Sequence, residues 1–143
     1  MDQRGAALTG VVLDASVLGA LVIPDEATNE HPSLIDVLGA GVAVVPAHWH
    51  LEIANLGRSA IRRGRLDESA FAARLADLGT FEIETDLETP QRAWGDIARL
   101  AAHHGLTSYD AAYLELAVRR SALLLCDDAA LSKAALAHGV ELL

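Results

Sequence analysis

Acidic side chains stand at four points where a short aliphatic run meets a helix-like pattern. Asp14 ends "GVVLD", Asp127 and Asp128 follow "ALLLC", Glu52 lies within "PAHWHLEIANLGR" and Asp110 within "LTSYDAAYLELA". Two like charges about 5 Å apart repel by roughly 3 kcal/mol at an effective dielectric near ~20, so gathering such acids calls for a cation. Hard oxygen donors without His or Cys favour Mg²⁺ or Mn²⁺ over zinc. A divalent ion so held can polarise a phosphoryl oxygen and lower the pKa of a bound water. Each acid also has a plainer reading. An Asp after a strand commonly caps the next helix, and Glu52 and Asp110 would serve equally as solvated helix residues.

The elements that position these acids follow from hydrophobic pattern. "GVVLD" (Gly10–Asp14), "VAVV" (Val42–Val45), "FEIET", "ALLLC" and "VELL" read as five strands. Helical patterns lie between them: "ASVLGALVI" up to Pro24, Ala27 to Leu38, Ala47 to Arg63, a helix capped by Asp67, Leu87 to His104, "SYDAAYLELAVRR" with a Ser cap, and "DAALSKAALAHG" capped by Asp128. Strands alternating with helices, several strands being continuous aliphatic runs, predict an α/β fold with a mainly parallel sheet covered on both faces. Such sheets bind ligands beyond the carboxyl ends of their strands. Asp14 and Asp127–Asp128 occupy those ends. If the first and fourth strands are neighbours, their backbones lie about 4.8 Å apart and their carboxylates face one small volume.

Composition narrows the function classes. A chain of 143 residues is expected to form one domain spanning 1–143, with residues 1–9 as a flexible N-terminal extension. With 52% hydrophobic but only 4% aromatic residues, the core must be aliphatic. A formal charge of −9 argues against gripping nucleic acid through a broad basic surface. It leaves open a nuclease whose positive charge arrives with a metal. The single cysteine, Cys126, suits a reducing cytoplasm, and the opening "MDQRGAALTG" lacks the pattern of a signal peptide. The apolar stretch from Val11 to Ile23, interrupted by Asp14, is too short to span a bilayer.

Along nearly its whole length the chain resembles the PIN-domain ribonucleases, and within them the VapC-type toxins of toxin–antitoxin pairs. "VVLDASVLGALV" resembles the family's opening strand, whose Asp is followed two residues later by Ser or Thr, here Ser16. "VPAHWHLEIANLGRSAIRRG" is similar to the helix carrying the second acid, Glu52. "GLTSYDAAYLELA" is the most specific match, with Asp110 as third acid. "LLLCDDAALSKAA" resembles the final segment, in which Thr-x-Asp precedes a Leu three residues on; this aligns Asp128 as fourth acid, leaves Asp127 variable and puts Cys126 where Thr is usual. The resemblance implies a three-layer sandwich with a five-stranded sheet ordered 3-2-1-4-5, and Asp14, Glu52, Asp110 and Asp128 around one or two Mg²⁺ or Mn²⁺ ions. It further implies metal-dependent cleavage of structured RNA such as transfer or ribosomal RNA, a homodimer, and a VapB-type antitoxin partner. In that scheme Asp14, Asp110 and Asp128 hold the metal while Glu52 positions or deprotonates the water.

Other residues invite competing readings. His48-x-His50 beside Glu52 suggests zinc, but side chains two apart on a helix diverge. His103 and His104 suit cations near a helix C-terminus. The cluster Arg58, Arg62, Arg63 and Arg65 is either a solvated helix end or a contact to RNA phosphates or an acidic antitoxin segment, with Ser16, Arg58 and Arg62 as the candidate substrate contacts. Trp49, Phe71 and Trp94 suit packing or an interface. Three other functions compete: a PIN-type RNA-processing nuclease outside a toxin–antitoxin pair, a catalytically inert PIN-like binding module, and a phosphoacceptor receiver domain. The last fails on position, since the only lysine, Lys133, lies in the last helix and "FEIET" offers no Asp at its end.

Overall fold

The computed structural model describes residues 10–23 and 31–143. The expected extension at 1–9 and the expected helix start at 27–30 lie outside the described residues. Among the described residues four strands form: β1 (Val11–Leu13), β2 (Ala43–Pro46), β3 (Ile83–Asp86) and β4 (Leu123–Leu125). Every pairing is parallel, and the order is β3-β2-β1-β4. The fifth strand expected at "VELL" does not form. Only Leu142 bridges Leu124, through backbone hydrogen bonds of 3.0 and 2.9 Å to either side of that one residue, while Val140 turns into the core. The expected order is thus kept for the first four strands.

The β1–β4 register decides what meets at the sheet's carboxyl edge. Val11, Val12 and Leu13 pair with Leu123, Leu124 and Leu125, and the Asp14 N–H donates to the Leu125 carbonyl at 3.0 Å. The chain after Asp14 turns through a 3₁₀ segment (Ala15–Leu18) into the short α1 (Gly19–Val22), ending on an extended Ile23 ahead of Pro24. α2 (Pro32–Ala40) closes at Gly41, whose φ of 69° suits glycine at that position. α3 (Trp49–Arg62) and α4 (Glu68–Leu78) follow, the latter capped by Asp67 as expected. Where they cross, a Cβ on Gly57 would stand 2.2 Å from the Phe71 ring, so glycine is what lets α4 seat against the helix bearing Glu52.

β3 runs one residue further than "FEIET" and ends on Asp86. α5 (Thr89–Arg92) continues through a π segment (Ala93–Ile97) into α6 (Ala98–His104). α7 (Ser108–Arg120) is capped by Thr107 rather than Ser108, because Thr107 holds the extended backbone and Ser108 is already helical. Its residues Ala111 to Ala117 are all buried. Its middle is buried on every side, Glu115 included, and α7 packs on β1, β2 and β4 with α8 (Ala129–Ala137) and α6 beside it. Trp49 and Phe71 are core residues, whereas Trp94 is 97% exposed. Among the described residues no helix is long and apolar enough to cross a membrane.

The Asp86 terminus explains why the receiver pattern does not apply here despite an Asp at that strand's end. Arg119 of α7 grips Asp86 with both terminal nitrogens (3.2 and 2.7 Å) and Glu115 at 2.7 and 3.0 Å. Arg119 is thereby held charged, and the Asp86 carboxyl stays below its ordinary range because Arg119, the Glu88 N–H and Thr89 outweigh burial. The network pins the end of α7 distant from Asp110 to β3. Removing one partner strands buried charge, so Arg119→Ala is expected to lose about 3 kcal/mol of stability in urea denaturation at neutral pH. A loss below about 1 kcal/mol, the surface-pair range, would contradict that role.

Candidate active site

The four predicted acids reach one cavity of about 560 Å³ at the carboxyl edge of the sheet, and Ser16 lines it too. Each acid sits at a helix start. Asp14 caps the 3₁₀ segment, accepting from the Ser16 hydroxyl at 2.8 Å and the Ser16 N–H at 3.4 Å. Asp128 caps α8, accepting from the Leu131 N–H at 2.7 Å. Asp110 and Glu52 lie in the first turns of α7 and α3. Capping a helix and lining the cavity are thus compatible: helix N-termini, with free N–H groups and positive dipole ends, are where uncompensated acids are best tolerated.

The toleration is partial. Burial drives the Asp14 carboxyl up from 3.8 to about 6, against the two Ser16 hydrogen bonds and with Asp110 and Glu52 adding repulsion. Asp110 is also raised, by burial first and then by Asp128 and Glu52. Glu52 goes the other way. Its own burial is outweighed by His48 and by the Tyr113 hydroxyl, leaving it below the ordinary range.

Ribonuclease VapC3 of Pyrobaculum aerophilum is 30% identical over 123 residues, covering 86% of this chain and 92% of that protein. The crystal structure of PAE2754 from the same organism superposes with a TM-score of 0.67 at 23% identity, over 88% of this chain and 86% of that one, a likeness of fold. The sequence model of the PIN domain matches residues 11–137. The chain belongs to the PIN-domain family.

In this PIN domain the donor set suits a hard divalent ion. Among the described residues no three His, Cys, Asp or Glu side chains form a compact ligand cage. Mg²⁺ needs none, since it keeps several waters and binds through one or two carboxylates plus phosphate oxygens. Open carboxylates around a cavity, two with raised pKa, fit that requirement.

Two groups around Glu52 escape a sequence reading built on acids. Tyr113, fully buried, donates its hydroxyl to Glu52 and accepts from the Ala15 N–H at 3.3 Å, bridging α7, α3 and the turn after Asp14. The signal was present in "YDAAY", where Tyr113 lies three residues beyond Asp110 on the same helical face. His48 lines the cavity, its Nε2 3.2 Å from Glu52 Oε1 but off the line of a well-aligned hydrogen bond. His50 faces outward against the Trp49 ring, so the pair diverges as expected and no His-x-His chelate forms.

The remaining candidates lie elsewhere. Arg58 pairs with Glu68, and Arg62 contacts Ser59 at 3.5 Å; neither lines the cavity. Asp127 points away to His31. Cys126 in the usual Thr position meets the Ser132 hydroxyl at 3.2 Å. His104 lies in the last turn of α6 as expected; burial, then His103 and His138, hold its pKa down, and its Nε2 lies 2.8 Å from that of His138.

The raised Asp14 carboxyl has a thermodynamic consequence. The native state holds this proton to about pH 6, the unfolded chain only to about 3.8, so stability falls as pH rises between those values. Without divalent metal at pH 7.5, Asp14→Asn is expected to be more stable than wild type, by up to about 3 kcal/mol, with the gap closing near pH 4. Urea denaturation in chelator at both pH values checks this; a variant less stable than wild type at both would contradict it.

Proposed function

We propose that this PIN domain is a Mg²⁺- or Mn²⁺-dependent endoribonuclease of the VapC type. It cuts the backbone of structured RNA such as transfer or ribosomal RNA, acts in the cytoplasm as a homodimer, and is held inactive by a cognate VapB-type antitoxin. The observation that carries the reading is the convergence of Asp14, Glu52, Asp110 and Asp128, from four separate elements, on one cavity. The name of the 30% identical relative, Ribonuclease VapC3, supports it.

Asp14, Asp110 and Asp128 would hold the metal, with Glu52 at its side as a further ligand or as the base. A bound divalent cation supplies Lewis-acid polarisation of a phosphoryl oxygen and a water of lowered pKa. Glu52, kept ionised by Tyr113 and His48, accepts the proton of the attacking water as its oxygen bonds to phosphorus. The bond from phosphorus to the leaving oxygen breaks, and that oxygen takes up a proton. Ser16 orients the Asp14 carboxylate through its hydroxyl and stands at the cavity wall where RNA enters. Arg58 and Arg62 contact phosphates beyond the cavity, Arg58 exchanging Glu68 for a phosphate as the strand docks.

The test is cleavage of total cellular RNA by the purified chain in Mg²⁺ or Mn²⁺ against chelator, with ends mapped by sequencing. A few discrete metal-dependent cuts are expected, reduced roughly 100-fold or more in Asp14→Asn and Asp110→Asn. Silence of wild type and variants alike, or cuts indifferent to chelator, would contradict the reading.

A further inference from the structure

The mouth of the carboxylate cavity has a composition that binding of phosphate does not explain. Among the described residues lining it there is no Lys or Arg, and the nearby Arg58 is engaged by Glu68. Instead, two of the most exposed large apolar side chains stand on its wall, Leu51 at 75% and Tyr109 at 63%. Each directly precedes a site acid in the chain, Leu51 before Glu52 and Tyr109 before Asp110. Their placement beside the acids is therefore fixed by the same helix starts.

Tyr109 is also braced. Its ring centroid lies 5.6 Å from that of His48, and His48 lies 5.2 Å from Tyr113, which is fully buried. A row of rings thus leads from the core to the cavity wall and ends in an exposed ring. On α3, Asn55 lies one turn beyond Leu51 on the same side and also lines the cavity, bringing both amide donors and an acceptor.

We propose that this wall is a subsite for one unpaired nucleobase adjacent to the scissile phosphate, with Tyr109 as the stacking platform, Leu51 as its apolar border and Asn55 facing the base edge. The inference rests on the nuclease reading and deepens it. Every base has a π-face, and stacking on an aromatic side chain is sequence-tolerant and adds to the phosphate contacts made beyond the cavity. A base can reach such a wall only when splayed out of a helix.

Binding is measured by fluorescence anisotropy with a labelled short single-stranded RNA, the same strand in a duplex, and the same strand with an abasic ribose scanned through it. The parent for this series is Asp14→Asn, to keep the strand intact. Adding Tyr109→Ala is expected to weaken single-strand binding roughly 10- to 100-fold, while Tyr109→Phe and Tyr109→Trp stay close to the parent. One abasic position should reproduce the loss in the parent and add nothing in Tyr109→Ala. In the otherwise wild-type chain, Tyr109→Ala should raise KM for RNA cleavage more than it lowers kcat; Leu136→Ala, an exposed apolar change on α8, serves as control.

Unchanged single-strand binding in Tyr109→Ala, or full retention by Tyr109→Leu, would overturn the subsite, the latter by showing that apolar bulk suffices. If wild type cleaves no RNA but binding still follows the ring, the nuclease reading falls and the base subsite stands. Normal cleavage with binding indifferent to Tyr109 sinks the subsite alone.

Discussion

Mutual repulsion among carboxylates at one edge of a parallel sheet is the constraint around which this molecule is organised. Asp14 is the extreme case, 5% exposed at the end of β1 with Asp110 and Glu52 adding to the cost of its charge. Each acid is placed at a helix start, where N–H groups and the dipole offset part of that cost. Hydroxyls offset a further part, Ser16 for Asp14 and Tyr113 for Glu52. What remains uncompensated is a standing affinity for positive charge, which the surrounding side chains do not meet and a divalent ion would.

The same helix shows how differently acids are treated at its two ends. Near its start, Asp110 faces other acids across the cavity. Near its end, Glu115 and Asp86 are fully engaged by Arg119. Both ends contain buried or half-buried carboxylates; only one supplies the cation from within the chain. The ion-paired end holds α7 in place against β3, so the unpaired end can keep its geometry in spite of repulsion. Stability lost at the site is offset by packing and pairing away from it, a division common where function demands a destabilising arrangement.

Much of this was legible in the sequence because the acids mark element boundaries. Asp14 and Asp128 end aliphatic runs, and such runs in alternation with helices specify a parallel sheet whose carboxyl edge collects them. The resemblance added the strand order, and the structure keeps it for four strands. "VELL" read as a strand by its pattern, yet one residue's hydrogen bonds do not make one. The Thr107 cap was missed because Thr and Ser adjoin and only backbone conformation tells which is the cap.

Contacts distant in sequence were beyond pattern reading altogether. Arg119 and Asp86 are 33 residues apart, and Tyr113 and Glu52 are 61 apart. In "AAYLELA" the tyrosine looks like one more core residue, and only the fold reveals that its hydroxyl is shared between Glu52 and the turn after Asp14. Likewise, Arg58 reads as a solvated helix end or a contact to phosphate or an acidic segment, and only the fold brings Glu68 to it.

We propose above that Asp14, Glu52, Asp110 and Asp128 hold one cation together. Mn²⁺ binding followed by electron paramagnetic resonance at pH 7.5 tests it without reference to any substrate. Saturable binding is expected, displaced by Mg²⁺ and weakened at least about tenfold, about 1.4 kcal/mol, by each of Asp14→Asn, Asp110→Asn and Asp128→Asn. Binding that survives all three changes, or no saturable binding by the folded wild type, would contradict it.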